Sequence, residues 1–200
     1  MTNEKKEQAR LLFESHGPVL KANILDKNKL YSRDIAALIS DGLIRKMKTG
    51  YYIWNAAEND MTDLELASAV IEKGIICLQS AAIYYDLSTI NSSAVTMAVP
   101  TDNKRPALPD YPPIDLYVVP AKLFDMGLTE EASEHGILRI YDRERTVCDF
   151  FKRRNSLGDD LAMEVLKNYM NGKRRLPILM KYAKELRVKS IIKPYVEALV

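Results

Sequence analysis

Three side chains in the last third of the chain, Arg145, Asp149 and Arg153, stand at successive four-residue steps. On a helix this spacing stacks a carboxylate between two guanidiniums on one face, which is predicted to lie opposite an apolar stripe of Val147, Phe150 and Phe151. Two kinds of chemistry use such a row. It can be a small polar site that receives an anionic group or a partner. It can equally be helix-supporting ion pairs, worth about a few tenths of a kcal/mol each when exposed. Between Lys173 and Lys193, eight basic residues face a single acid, Glu185, with Tyr182 and Tyr195 among them. That mixture suits nucleic acid, and a solvated helical face as well.

Signatures of catalysis are poor. His16 and His135 are the only histidines, each beside a glycine and outside any metalloprotease motif. Neither phosphate-binding glycine loop occurs, and the fragment Asp102-Asn103-Lys104 is a three-residue D-x-K pattern in a loop. A zinc site built on His135 and Cys148 lacks two ligands in any recognisable spacing. No enzyme activity, cofactor or metal site is therefore expected.

A second constellation lies near the N-terminus. A helix over residues 33–41, capped by Ser32 and stopped at Gly42, turns Ile35, Leu38 and Ile39 inward and shows Arg33, Ala37 and Ser40 on its opposite face, with Ala36 at the edge. Small residues let a helix backbone approach base edges, and Ser32, Arg33 and Ser40 can hydrogen-bond there. Beside it Arg45, Lys46, Lys48 and Thr49 sit around a two-residue Thr49-Gly50 turn, placed to meet phosphates.

The elements that must position these residues follow from periodicity. Ala9, Leu12 and Phe13 make a first helix over 3–15; Leu20, Ile24 and Leu25 suit a short second helix over 19–25; the third follows, then a hairpin of 43–48 and 51–54. Three small helices and a hairpin are the order of a winged helix-turn-helix, expected over 1–57. Residues 55–60 read as a linker. A second, α+β domain over 61–200 opens on the capping box Thr62-Asp63-Leu64-Glu65 and a helix running to Lys73. A short apolar run covers 75–78, a helix is expected over 80–85, and strands are expected over 94–100, 114–119, 128–133 and 137–141. The proline-rich stretch 101–113 should be an exposed loop. Asp142 caps the helix that carries the Arg145 row, and helices over 159–169, 177–186 and 191–199 finish the chain.

Composition agrees with a globular protein: 200 residues, 47% hydrophobic and 28% charged, leave no room for extensive disorder. No apolar run approaches the roughly 20 residues of a membrane helix. The N-terminus lacks a secretory h-region, so a cytoplasmic location without membrane association is expected. Cys77 and Cys148 lie in apolar surroundings and are expected to be buried thiols. The net charge of +2 hides an asymmetry: 10 basic and 6 acidic residues in 1–55, 4 and 13 in 56–136, and 15 and 8 in 137–200. Basic ends and an acidic middle suggest that one or both ends meet a polyanion.

The run from Leu38 to Tyr52, L-x-x-x-G-L-I-R-K-x-x-x-G-Y-Y, resembles the N-terminal winged helix of the AbiEi-type antitoxins of bacterial type IV toxin–antitoxin (abortive infection) systems. Further elements follow in family order. They are Ser80-Ala81-Ala82 before Leu87, Val99-Pro100, Glu144-Arg145-Thr146-Val147-Cys148-Asp149, Arg154-Asn155 with Gly158, Asp160-Leu161-Ala162, Tyr169, Tyr182-Ala183 and Arg187-Val188. The E-R-T-x-x-D block and its downstream partners carry the resemblance most specifically. It implies an N-terminal domain that binds duplex operator DNA and represses its own operon. It also implies a C-terminal domain that counters a nucleotidyltransferase-like toxin without a stable complex. The acids Asp34 and Asp41 on the third helix depart from a plain recognition surface. Two alternatives stand beside this reading: an enzyme of nucleotidyl or phosphoryl chemistry opposing the toxin, and a module that sequesters a partner protein.

Overall fold

The computed structural model describes residues 1–58, 60–102 and 104–199. The chain divides into two compact units. The first comprises 1–72 with 105–114 and 132–137, the second 73–104, 115–131 and 138–200. The architecture is mixed α+β with one sheet of three strands and one of five.

In the first unit, α1 (Asn3–His16) starts on the Thr2 hydroxyl, which accepts from Lys5 N, and stops at Gly17, whose φ of +102° suits a residue without Cβ. Ala9, Leu12 and Phe13 on its inner face join Leu20, Leu25, Leu30, Ile35, Leu38 and Ile44 in one core. The expected second helix is divided. Val19–Lys21 forms strand β1, and helix α2 (Ala22–Lys27) begins only after it. The reason is a long-range partner: β1 pairs antiparallel with β3 (Tyr51–Trp54), Leu20 opposite Tyr52, and sheet pairing overrides a three-residue helical pattern.

Helix α3 (Ser32–Ser40) starts one residue earlier than expected, so Ser32 is its first residue and not its cap; the Asp34 carboxylate accepts from Tyr31 N at 3.1 Å in that role. Gly42, at φ +69°, ends it, and Leu43 N donates back to Leu38 O at 3.0 Å. Strand β2 (Ile44–Lys48) pairs with β3 around the Thr49-Gly50 turn, but the register slips between Lys46 and Lys48. Met47 is the extra residue of this bulge and is fully buried.

Residues 55–58 are not a free linker. They form a short helix, α4 (Asn55–Glu58), in which Asn55 Nδ2 donates to Gly42 O at 2.7 Å and Glu58 pairs with Arg45. Asn59, within that expected linker, lies outside the described residues. Helix α5 (Asp63–Val70) has the expected capping box, Glu65 N to the Thr62 hydroxyl and Thr62 N to the Glu65 carboxylate, but ends at Val70 rather than Lys73. It belongs to the first unit, as do 105–114, where Pro109 and Pro112 are buried and Tyr111 donates to Asp63 at 2.7 Å. That part of the proline-rich loop is therefore packed, which four closely spaced prolines do not reveal from sequence.

The five-stranded sheet, most of whose residues belong to the second unit, has the order β6 (Ile114–Val119), β5 (Val95–Pro100), β4 (Ile75–Ile76), β8 (Gly136–Tyr141), β7 (Leu128–Ser133). Strand β4 is antiparallel to β5 and parallel to β8. Helix α6 (Leu78–Tyr84) follows β4, and a helical turn unseen in the sequence, α7 (Ala121–Phe124), follows β6. Four helices finish the chain: α8 (Arg143–Leu157), α9 (Asp159–Asn171), α10 (Leu176–Glu185) and α11 (Lys189–Leu199). Helix α8 packs against α6, α9, α10 and α11.

Candidate functional site

On α3, the exposed face is Ser32, Arg33, Ala36, Ile39 and Ser40. Two residues change sides from the sequence reading: Ile39 is 41% exposed rather than core, and Ala37 is half-buried while Ala36 is open. Ile35 and Leu38 alone suffice to seat a nine-residue helix, which leaves the wider stripe unused. The acids of this region are neutralised from α1. Lys5 Nζ lies 2.7 Å from Asp34, hydrogen-bonding to it and holding its carboxyl below the usual carboxylate range, and Lys6 Nζ lies 3.0 Å from Asp41.

The hairpin is less available than its composition suggests. Lys46 and Thr49 are exposed. Lys48 is half-buried, donating to Val70 O at 2.6 Å and Ala107 O at 3.0 Å, with its ammonium 4.5 Å from the centre of the Tyr51 ring. Burial lowers its pKa. The bulge at Met47 breaks the two-residue alternation that would have kept Lys46 and Lys48 on one side. Arg45 is held by Glu58. Counted by unit, the first carries 11 basic and 13 acidic residues and the second 18 and 14, so the positive excess belongs to the second.

In that second unit the Arg145 row is not on a solvent face. Every residue from Glu144 to Phe151 is buried; Arg145 is 1% and Asp149 8% exposed. Arg145 Nε donates to Asp149 Oδ2 at 3.0 Å, Nη1 donates to Leu123 O at 2.7 Å and Met126 O at 2.8 Å, and the guanidinium carbon sits 4.3 Å from the centre of the Tyr141 ring. The Asp149 carboxyl is pushed up by burial, against the pull of Arg145. Thr146 Oγ1 donates to Asp142 O at 2.9 Å. Glu144 accepts from the Tyr169 hydroxyl at 2.9 Å and pairs with Arg175. The E-R-T-x-x-D block thus ties α8 to α7, to the end of β8 and to the α9–α10 junction. A charged row normally marks exposure; here distant carbonyls and side chains satisfy the charges, and no local pattern shows that.

Arg153 separates from its two companions. It is half-buried, its guanidinium carbon 4.5 Å from the centre of the Tyr117 ring, and makes no ion pair among the described residues. A cavity of about 220 Å³ brings Arg145, Asp149, Lys152, Arg153 and Tyr117 together over Cys77, Leu78 and Ala98. Lys152 was missed by the sequence reading, although the run Lys152-Arg153-Arg154 was a signal. Desolvation lowers the Lys152 pKa; Asp149 opposes this, and Arg145, Arg153 and Arg187 reinforce it.

Cys77 and Cys148 are buried as expected, and burial pushes both thiols up. Tyr182 is half-buried and directs its hydroxyl to Asp142 at 3.4 Å, whereas Tyr195 is exposed. Asp102 and Lys104 are exposed, and Asn103 between them lies outside the described residues. No helix among the described residues is long and apolar enough to cross a membrane. Compared with known proteins, the sequence matches no family model and no curated relative.

Proposed function

We propose that this chain is an antitoxin and autorepressor of the AbiEi type. In this reading its first unit is a winged helix-turn-helix that binds duplex operator DNA, and its second unit counters a nucleotidyltransferase-like toxin without a stable complex. The observation that carries it is the pairing of Asp34 with Lys5 and Asp41 with Lys6. With those acids neutralised, the exposed face of α3 presents Arg33 among Ser32, Ala36, Ile39 and Ser40, and its small residues allow the close approach that base edges require. The chain order helix, strand, helix, helix, two-stranded hairpin supports the same reading. The protein is cytoplasmic and needs no cofactor in this reading. In this reading it is also non-enzymatic, which the engagement of the Asp149 carboxylate by Arg145 supports.

Operator contacts are assigned to Ser32, Arg33, Ala36 and Ser40 on α3 and to Lys46 and Thr49 on the hairpin. Titration of the full chain with DNA from upstream of its own operon and with random duplex, at two salt concentrations, tests the repressor half; growth under toxin expression tests the other. Arg33→Ala should lose affinity for the specific site selectively, and Lys46→Ala should weaken both duplexes and flatten the salt slope. Equal affinity of the wild-type chain for both duplexes overturns the repressor reading, and failure to restore growth overturns the antitoxin reading.

A further inference from the structure

One cavity and an adjoining groove of the second unit gather several cations that make no ion pair among the described residues. The cavity beside Asp149 adjoins a groove of about 510 Å³, the two sharing Pro120 and Lys152 as walls. A groove of this size lies within the range of small-molecule sites, about 300–1,000 Å³. Its cations are Lys122, Lys152, Arg154 and Arg187, against one acid, Glu185. Arg154 is engaged by Asp159 at 3.5 Å. Lys122, Lys152, Arg153 and Arg187 make no ion pair and no side-chain hydrogen bond among the described residues. The carboxylates that border the two are Glu185 in the groove and Asp149, already bonded to Arg145, in the cavity. Bringing like charges together with so few counter-ions costs free energy that a bound anion would recover.

The backbone adds an independent sign. Arg187 holds φ +61° directly after α10, where Val188 N donates to Ala183 O at 2.8 Å and Arg187 N to Lys184 O at 3.1 Å. This is the left-handed helix-end position that glycine fills most easily, and here it presents an arginine to the groove. Leu78, at φ +43°, lines the adjoining cavity. Among the described residues, two of the four non-glycine positions with positive φ therefore border this one feature, and backbone strain of this kind concentrates at ligand sites.

We infer that the cavity and groove form a binding site for an oligophosphate, whose phosphate groups lie along Lys122, Lys152, Arg153 and Arg187. The inference rests on the second unit alone and goes beyond the antitoxin reading; operator binding and toxin rescue can both fail without affecting it. The same chemistry is offered by the polyphosphate of a nucleotide and by the backbone of a single strand.

Calorimetric titration of the full chain at low salt with tripolyphosphate, GTP and a short single-stranded RNA tests it. Tripolyphosphate should bind, and Lys152→Ala should weaken it about tenfold, as expected for loss of one charge-assisted contact. Arg187→Gly should weaken it by several-fold while the melting temperature holds or rises, because glycine suits that φ. Lys173→Ala, which removes an exposed cation of the same unit outside the groove, should keep wild-type affinity. Tighter binding of GTP than of tripolyphosphate identifies a nucleotide as the source, and tighter binding of the RNA a single strand; either upholds the site. Absence of binding by all three, unchanged affinity in both groove variants, or an equal loss in Lys173→Ala overturns it.

Discussion

Arg145 Nε and Asp149 Oδ2 meet at 3.0 Å one turn apart on α8, and neither side chain is a surface group. An exposed pair at this spacing is worth about 0.3–0.5 kcal/mol, whereas removing one partner of a buried pair leaves an uncompensated charge and costs about 3–5 kcal/mol. The second regime applies here. Asp149→Ala should therefore lower stability by about 3–5 kcal/mol in urea denaturation. A change below about 1 kcal/mol would mean that the Arg145 charge is balanced without Asp149.

The Glu144 carboxyl gives a pH prediction. Burial works against its charge, but Arg175 and the Tyr169 hydroxyl outweigh burial and hold its pKa below 4.5. A carboxyl whose folded pKa is lowered stabilises the fold above its unfolded value and loses that contribution as pH falls through the folded value. Glu144→Gln should flatten the stability profile below about pH 4.5, the ordinary glutamate value, relative to the wild-type chain. Parallel profiles between pH 5 and pH 3 would show that another carboxylate dominates acid unfolding.

Gly127 stands at φ +80°, and a Cβ there would come within 2.6 Å of Arg145 Cβ. Gly50 at the hairpin tip has a similar φ of +78° with nothing within 4 Å of the added atom. Gly50→Ala should cost about 1–2 kcal/mol from backbone strain alone. Gly127→Ala should cost clearly more, about 3 kcal/mol or above, because it also displaces the buried guanidinium. Equal melting temperatures for the two variants would remove the close approach as the cause.

Lys48 separates composition from geometry. Its ammonium is spent on Val70 O and Ala107 O, so Lys48→Ala should reduce stability while leaving the salt slope of DNA binding as in the wild-type chain. Lys46→Ala should do the reverse. A drop of about one unit in the salt slope for Lys48→Ala would place its charge on phosphate instead.

A fragment of residues 1–57 loses Glu58, the partner of Arg45, along with the Val70 carbonyl and Glu72, which hold Lys48 and Lys21. A fragment of residues 1–72 keeps all three and should melt higher by several degrees, the shift expected for about 1 kcal/mol in a domain of this size. Matching melts would show that α5 adds nothing to the first unit.

What the sequence alone determined was local. The Thr62–Glu65 capping box, the Gly42 stop of α3, the Asp142 cap of α8 and the β-prone runs of β5 and β6 are set by neighbours close in the chain, and each is present in the structure. The mixed α+β content follows from them. The tertiary structure decided which charges meet water. Residues 19–21 became a strand because β3 lay alongside. Lys48 turned inward because one bulged residue, Met47, changed its side. The charged row on α8 was buried because Leu123 O and Met126 O, some 20 residues away in sequence, supply acceptors for Arg145 and because helices enclose it. Periodicity reports which side chains share a face, whereas burial depends on what the folded chain brings to that face, and partners so distant leave no trace in local spacing.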